Sequence, residues 1–174
     1  NWHSDGYNGE RIPSIKIAFY LDPLTADTGA VRIIPGSHHC GDTFSDGLEK
    51  EIKDCTDTWG LAPDEVPSLV IETQPGDVVV FWHNTKHAAF GGSKRRRMFT
   101  MNFYEHVADD RLVDFQNALA NEGRFWIDRI HGEAMLRTAG PERMVHLRQV
   151  IDNDFKVAEV HARLRQERSE PSRG

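Results

Sequence analysis

Two histidines and one aspartate are the side chains of this sequence best suited to bind a metal ion. His3 and Asp5 are two residues apart, and His87 lies far along the chain. In an extended strand, side chains two apart project from the same face, so His3 and Asp5 can reach one point in space. Two imidazoles and one carboxylate on one side of a metal are typical of non-haem Fe(II), with positions left open for substrate and oxygen. We therefore predict an iron site with His3, Asp5 and His87 as metal ligands and catalytic residues.

A second histidine, His83, competes with His87 for the third ligand position. His83 follows the apolar run Val78–Trp82, where a partly buried and hydrogen-bonded histidine is the ordinary arrangement. His87 comes after the chain has turned, next to Ala88 and Ala89, whose small side chains leave room for a ligand. The sequence favours His87 and leaves His83 as the alternative.

An iron centre of this kind needs an electron-rich co-substrate, and a 2-oxo acid with a distal carboxylate would require a cation nearby. Arginine suits this role because its planar fork meets a carboxylate through two parallel hydrogen bonds. The run Lys94–Arg97 precedes a strand in which alternate residues divide into an apolar and a more polar set. Arg96 belongs to the polar set, so we expect it to point inward with Thr100 beside it. Arg97 remains the alternative, because a bulge at the strand entry would exchange the two.

The elements that must position these side chains are short strands followed by helices. Alternating apolar patterns predict five strands, at Ser14–Leu21, Ala30–Ile34, Leu69–Glu72, Val78–Trp82 and Met98–Tyr104. After about Val107 the period lengthens, which predicts a helix around Leu112–Leu119 and one long helix over Glu142–Arg165. Short antiparallel strands followed by helices are typical of a jelly-roll or cupin-like barrel. We predict a mainly β fold with packed C-terminal helices, which cover the apolar face of the last strand.

The length of the chain indicates one domain. Its 174 residues, 39% of them hydrophobic, suffice for one well-buried domain and are too few for two ordinary ones. We expect residues 1–106 to form the barrel core and residues 107–174 a helical C-terminal region. The polar stretch at about 37–67 predicts a lid-like insertion, because connections of this length are usually functional. Trp59 within it either contacts substrate or fastens the loop to the core.

Five strands do not close a barrel, and the chain begins inside a motif without an initiator methionine. We therefore interpret the N-terminal part of the domain as missing from this sequence. The formal net charge of −6 argues against nucleic acid as a partner, since phosphate affinity depends on lysine and arginine. No apolar run approaches the roughly 18 residues that span a bilayer, so we expect no membrane association.

The two cysteines, Cys40 and Cys55, are expected to be free thiols in a reducing cytoplasm. The apolar stripe of the predicted C-terminal helix favours packing onto its own sheet and leaves a homodimer as the alternative to a monomer. With nucleic acid and membranes disfavoured, we expect the partner to be a small-molecule substrate.

Four motifs follow one another between Trp2 and Tyr104. They are Trp2–Gly6, Asp27–His38 with its Pro-Gly-Ser-His ending, Gly76–Phe81, and His87 followed by the Arg96/Arg97 pair. In order and spacing they resemble the phytanoyl-CoA dioxygenase family of Fe(II)- and 2-oxoglutarate-dependent oxygenases. The resemblance implies a double-stranded β-helix core with iron bound by His3, Asp5 and His87. It also implies that an arginine shortly after the last ligand, Arg96 or Arg97, holds 2-oxoglutarate.

The resemblance further implies a dioxygenase that uses Fe(II), 2-oxoglutarate and O2, hydroxylates a C–H bond of a small organic substrate, and releases succinate and CO2. Relatives that halogenate replace the carboxylate with a small residue, so Asp5 favours hydroxylation. Two other classes remain open. A cupin-like Zn(II) or Mn(II) hydrolase or isomerase would act without 2-oxoglutarate. A non-catalytic barrel-fold binding protein would not need the intact set of three ligands.

Overall fold

The structure, a computed structural model, describes residues 1–6, 12–92 and 95–172. It divides into two compact units, Asn1–Glu105 and His106–Gly174. Helices account for 39% of the chain and strands for 19%, so a mainly β protein is not confirmed. The fold combines sheets and helices, because the insertion of the first unit and the whole regular structure of the second unit are helical.

The first unit contains, among the described residues, two antiparallel sheets of three strands each. The strands are β1 (Ser14–Tyr20), β2 (Val31–Ile33), β3 (Leu69–Ile71), β4 (Val78–Trp82), β5 (His87–Ala89) and β6 (Met98–Tyr104). One sheet has the order β4-β1-β6 and the other the order β3-β2-β5. All five predicted strands occur. β5, which carries His87, is too short at three residues to produce a periodic pattern.

The sheet β4-β1-β6 has one inner and one outer face. Ala18 and Tyr20 of β1 are 1% exposed and belong to a core cluster with Leu24 and Ala30. Alternation then places Ile17 of β1 on the outer face, and its register partners there are Val80 and Met101.

The outer face of this sheet is apolar and exposed. We expected the apolar residues of β6 to lie beneath helices, but Phe99 is 50% exposed and Phe103 44%. No element in the described part of the first unit covers them, and their packing beneath the C-terminal helices stays a prediction. A strand's alternation indicates which side chains share a face, whereas what covers the face depends on the tertiary fold.

The insertion between β2 and β3 is largely helical. It contains α1 (Thr43–Glu51), a 3₁₀ turn (Ile52–Asp54) and α2 (Cys55–Trp59). Asp42 caps α1 by accepting hydrogen bonds from two amides of its first turn, as is typical of an aspartate at this position. Gly60 ends α2 with φ 68°, a left-handed conformation that glycine adopts without a steric penalty.

These helices pack behind the strands of the second sheet. The buried cluster there consists of Trp2, Ile34, Ile52, Cys55, Val66 and Ala88, with Leu48, Trp59 and Phe90 packed against it. Trp2 and Ala88 are each one residue from a predicted ligand, so alternation turns them to the opposite face. The helices therefore support the strands from behind. A lid formed by the loops of the insertion stays a prediction.

Trp59 contacts this cluster and donates its indole N–H to Glu51 at 2.9 Å. Of its two expected roles, this packing favours fastening the insertion to the core. Cys55 is buried, Cys40 is exposed, and both are free thiols.

The second unit is helical. It contains α3 (Leu112–Ala120), α4 (Glu133–Thr138), α5 (Pro141–Asn153) and α6 (Val157–Glu167), with 3₁₀ turns at Asp109–Arg111 and Asn121–Phe125. No helix in the described parts of the chain is both long and apolar enough to cross a membrane.

The long helix predicted over Glu142–Arg165 is in fact two helices, α5 and α6, separated at Asp154. This residue is 1% exposed, and its carboxylate accepts hydrogen bonds from the Ile130 amide and the Arg129 guanidinium, both at 3.0 Å. Aspartate side chains compete with the backbone for hydrogen bonds and disfavour helix interiors. In the sequence the apolar pattern continues from Ile151 to Phe155, so periodicity does not reveal the break at Asp154.

Candidate metal centre

The N-terminal segment and β5 lie side by side at the site. The amide of His3 donates to the carbonyl of His87 at 3.1 Å, and the amide of His87 donates back at 2.9 Å. The amide of Asp5 donates to the carbonyl of His83 at 2.8 Å. These backbone bonds bring one donor atom each of His3, Asp5 and His87 within 4.8 Å of one another.

Both histidines direct the same ring nitrogen at the centre. Nδ1 of His3 lies 2.9 Å from the carbonyl of Asn1, and Nδ1 of His87 lies 2.9 Å from that of Thr85. A carbonyl can only accept, so Nδ1 carries the proton and Nε2 keeps its lone pair. His3 Nε2 lies 4.0 Å from Asp5 Oδ1, and His87 Nε2 lies 3.4 Å from Asp5 Oδ2. Such carbonyl contacts fix the tautomer and ring orientation of metal-binding histidines.

The charge states of His87, which is buried, and Asp5, which is partly buried, also suit a metal. Burial lowers the pKa of His87 to about 4, although Asp5 opposes this shift. Burial acts to raise the pKa of Asp5, but His87 and the Lys16 ammonium outweigh it and hold the pKa below its usual value. A neutral imidazole and an ionised carboxylate are the forms that bind metals.

The donor set fits one divalent ion. Metal–ligand bonds of about 2.1 Å place neighbouring donor atoms about 3 Å apart. The observed separations are wider: His87 Nε2 lies 3.4 Å from Asp5 Oδ2, His3 Nε2 lies 4.0 Å from Asp5 Oδ1, and one donor atom of each residue lies within 4.8 Å of the others. Side-chain movements would therefore have to bring both Nε2 atoms and one Asp5 oxygen closer together on one ion. Two imidazoles and a carboxylate on one side of a metal are the set typical of Fe(II).

Lys16 is a charged neighbour that our sequence reasoning missed. Its Nζ lies 2.6 Å from Asp5 Oδ2, and its side chain is 18% exposed. The alternation of β1 contained the signal, because Ile15 and Ile17 share the apolar outer face and Lys16 must therefore point inward. Metal-binding carboxylates usually have such a second partner, which fixes their orientation.

His83 lies outside the set of three donors. Its ring Nε2 contacts Asn102 Oδ1 at 3.1 Å, and its carbonyl accepts hydrogen bonds from the amides of Asp5 and Gly6. The residue is 3% exposed, and burial lowers its pKa. His83 therefore supports the backbone of Asp5, whereas His87 is the histidine that the structure brings to His3 and Asp5.

The two candidate arginines have different surroundings. Arg97 binds Asp22 through Nε at 3.0 Å and a terminal nitrogen at 2.8 Å. Arg96 donates Nε to the carbonyl of Gly29 at 3.0 Å. Burial raises the pKa of Tyr20, and Arg96 opposes this shift, so the Arg96 guanidinium lies near a side chain of the inner face.

Thr100 pairs with Ala18 in the register of β6 and β1, which places it on the inner face as expected. Thr100 thus lies on the inner face, Arg96 is exposed and bonded to the Gly29 carbonyl, and Arg97 is engaged by Asp22. Ser93 and Lys94, the start of the basic run, lie outside the described residues.

Two antiparallel sheets with a two-histidine, one-carboxylate donor set indicate a cupin-like fold with a candidate iron centre. The profile of phytanoyl-CoA dioxygenase (PhyH) matches residues 1–99, more than half of the chain. The protein belongs to the phytanoyl-CoA dioxygenase family, which confirms the resemblance seen in the four motifs. Members of this family use Fe(II), 2-oxoglutarate and O2.

Relatives and solved structures show partial likeness. The uncharacterized protein Rv1501 of Mycobacterium tuberculosis is 29% identical over 131 residues, which cover 68% of this chain and 42% of Rv1501. AviO1 from Streptomyces viridochromogenes Tue57 has 23% identity and a TM-score of 0.44, over 62% of this chain and 43% of AviO1.

SnoK, a non-heme alpha ketoglutarate dependent carbocyclase from nogalamycin biosynthesis, has 22% identity and a TM-score of 0.41, over 66% of this chain and 49% of SnoK. The chain therefore spans less than half the length of each of these three proteins.

Proposed function

We propose that the protein is an Fe(II)- and 2-oxoglutarate-dependent oxygenase that hydroxylates a C–H bond of a small organic substrate. The observation that carries this proposal is the convergence of His3, Asp5 and His87, with one donor atom each, within 4.8 Å. Membership of a family that uses Fe(II), 2-oxoglutarate and O2 supports it.

In this proposal His3, Asp5 and His87 hold the metal. Bound Fe(II), together with 2-oxoglutarate and O2, would supply the oxidising power for C–H hydroxylation, with succinate and CO2 as co-products. The three protein donors lie on one side, which leaves the other side for the reactants. The carbonyls of Asn1 and Thr85 hold the two rings in the orientation that directs Nε2 at the ion.

Asp5 bears on the type of reaction. A carboxylate at this position occupies the place that a halide would need, which favours hydroxylation over halogenation. The contact of Lys16 with Oδ2 orients the carboxylate so that its other oxygen, Oδ1, can bind the ion.

In this proposal Arg96 binds the distal carboxylate of 2-oxoglutarate, and the Thr100 hydroxyl donates a further hydrogen bond to it. Arg96 lies near the inward Tyr20, and the contact with the Gly29 carbonyl sets the direction of its guanidinium. The Arg97 guanidinium already donates two hydrogen bonds to the carboxylate of Asp22, so it is less suited to bind the carboxylate of 2-oxoglutarate.

The proposal is tested by adding Fe(II) and 2-oxoglutarate to the purified protein without oxygen. We expect a visible charge-transfer absorption band that needs both additions, and its loss in Asp5→Ala and His87→Ala. Arg96→Gln should raise the 2-oxoglutarate concentration for a half-maximal band by about tenfold or more, because a bidentate charged contact is lost. Arg97→Gln is the matched control and should leave that concentration unchanged.

Intact protein that shows neither the band nor decarboxylation of 2-oxoglutarate would contradict the proposal. A metal-dependent activity that persists without 2-oxoglutarate would indicate the cupin-like hydrolase or isomerase instead. An effect in Arg97→Gln alone would transfer the role to Arg97.

A further inference from the structure

A buried ion pair joins the insertion to the strand that carries His87. Lys86 is 5% exposed, and its Nζ lies 2.8 Å from Oε2 of Glu49 in α1. The same ammonium donates to the carbonyl of Asn84 at 3.2 Å. Lysine is rarely buried without a partner because desolvating its charge is costly. The Glu49 carboxylate is therefore the group that allows Lys86 to lie inside the protein.

The Glu49 carboxylate also reaches the segment that carries the other two candidate ligands. Ser4 Oγ lies 3.5 Å from Glu49 Oε2, and Ser4 is the residue between His3 and Asp5. One carboxylate thus contacts the chain neighbours of all three ligands. Its other oxygen pairs at 2.9 Å with the exposed Lys53 of the 3₁₀ turn that follows α1.

These contacts lie on the face opposite to the metal ligands. His3 pairs with His87 in an antiparallel bridge, so their side chains share one face and those of Ser4 and Lys86 share the other. Trp2 on that second face packs with residues of the insertion. Apolar contacts tolerate small sliding movements, whereas a hydrogen-bonded charge fixes one position.

The backbone on either side of the ion pair is held as well. The amide of Lys86 donates to Ser37 Oγ at 2.8 Å, and its carbonyl accepts from the amide of Ile34 at 3.0 Å. Ser37 is fully buried and donates its hydroxyl to the carbonyl of Ile34 at 2.6 Å. Lys86 is therefore held through both its backbone and its side chain. These contacts also hold the start of the strand that carries His87.

We propose that Glu49 and Lys86 are positioning residues of the metal centre. The carboxylate on α1 keeps the segment of His3 and Asp5 and the strand of His87 in register, from the face away from the metal. This inference rests on the proposed function, since it takes these three residues as the ligands. Loss of partners that orient metal ligands typically lowers metal affinity by about 10- to 100-fold.

The test uses Co(II), an air-stable probe ion, titrated into the metal-free protein and followed by visible absorption. We expect Glu49→Gln and Lys86→Met to raise the Co(II) dissociation constant by about 10- to 100-fold. Lys53→Met is the matched control, because it removes an exposed ammonium from the same carboxylate. Since exposed ion pairs contribute little, we expect Lys53→Met to change the Co(II) dissociation constant by less than about twofold.

A double variant, Glu49→Gln with Lys86→Met, separates positioning from stability. It removes both charges of the ion pair, so it should recover thermal stability relative to Glu49→Gln, which leaves the buried Lys86 ammonium without its carboxylate. Its Co(II) affinity should stay as low as in the single variants. Recovery of wild-type affinity together with stability would overturn the positioning role.

Hydrogen exchange of the metal-free protein supplies a readout that needs no metal. The amides of His3 and His87, each bonded to the other residue's carbonyl, should exchange faster in Glu49→Gln and Lys86→Met and unchanged in Lys53→Met. Unaltered exchange and unaltered Co(II) affinity in both variants would overturn the inference. If the wild type binds no Co(II), the proposed metal site is refuted. If the amides of His3 and His87 still exchange faster in the two variants, Glu49 and Lys86 hold the register of the two segments all the same.

Discussion

The two sheets of the first unit differ in what lies behind them. Behind β3-β2-β5, the insertion supplies side chains such as Ile52, 1% exposed, and Val66, 3% exposed. The described part of the first unit supplies no such layer for the outer face of β4-β1-β6, where Val80 is 56% and Phe99 50% exposed. The sheet that carries His87 thus has its own supporting layer, which the chain supplies between β2 and β3.

This difference matters for a metal site, because ligands hold their geometry only when the residues behind them are packed. The supporting layer contains both apolar contacts and the Glu49–Lys86 ion pair. The other sheet contributes to the site from its inner face, where Lys16 reaches Asp5. One sheet therefore carries the candidate ligand His87, and the other provides charge beside Asp5.

The largest effect should come from equal truncations behind the two sheets. Val66→Ala removes two methyl groups from the buried layer and should lower the free energy of unfolding by about 2 kcal/mol, through lost burial and the cavity left behind. Val80→Ala makes the same change on the exposed face and should cost about 0.5 kcal/mol or less. Urea denaturation of both variants measures the contrast. Equal losses would show that the outer face is also buried in solution.

A smaller effect should come from the ion pair at the end of the exposed sheet. Hydrogen bonds from the side chain and backbone of Arg97 lower the pKa of Asp22 to about 2. A carboxyl whose pKa is depressed by folding stabilises the protein above its unfolded pKa of about 3.9, and this contribution is lost as pH falls towards about 2. Asp22→Asn should therefore lower the urea midpoint at pH 7 and have a smaller effect at pH 3.

Urea midpoints of Asp22→Asn and wild type, measured from pH 7 down to pH 3, check this expectation. A difference between the two proteins that stays constant over that range would contradict the role assigned to the ionised carboxylate.

The smallest effect on stability should come from charges placed on the exposed face. Val80→Lys combined with Met101→Lys puts two ammonium groups where solvent already reaches. We expect a melting temperature close to that of the wild type and weaker binding of the dye ANS, because the dye binds exposed apolar surface. Val66→Lys should instead unfold the protein, since it would bury an unpaired charge. Unchanged dye binding would show that the dye binds elsewhere.

Much of the first unit was predictable from local patterns. The alternation in Ser14–Tyr20 and Met98–Tyr104 follows from the side-chain period of a strand, and both strands occur as predicted. The pair His3 and Asp5 needed only the same period to share a face. The helices of the insertion were harder to predict, because Thr43–Trp59 is mostly polar and consists of three short helical segments.

The sequence by itself determined which side chains can do chemistry and which face of a strand each one shares, because these depend on residue type and local geometry. Only the tertiary structure decided that His87 reaches His3 and Asp5 while His83 does not. The same holds for the engagement of Arg97 by Asp22. Such pairings join residues distant in sequence, and local periodicity carries no information about them.

The insertion shows the same limit most clearly. Its length predicted a functional segment, but its helices pack behind the candidate ligands, and Glu49 meets Lys86 across 37 positions of sequence. Burying that lysine requires a carboxylate nearby in space, and the sequence of the strand alone does not identify which one. Residue chemistry is therefore a local property of this chain, whereas the geometry of its candidate metal centre is set by contacts that form only on folding.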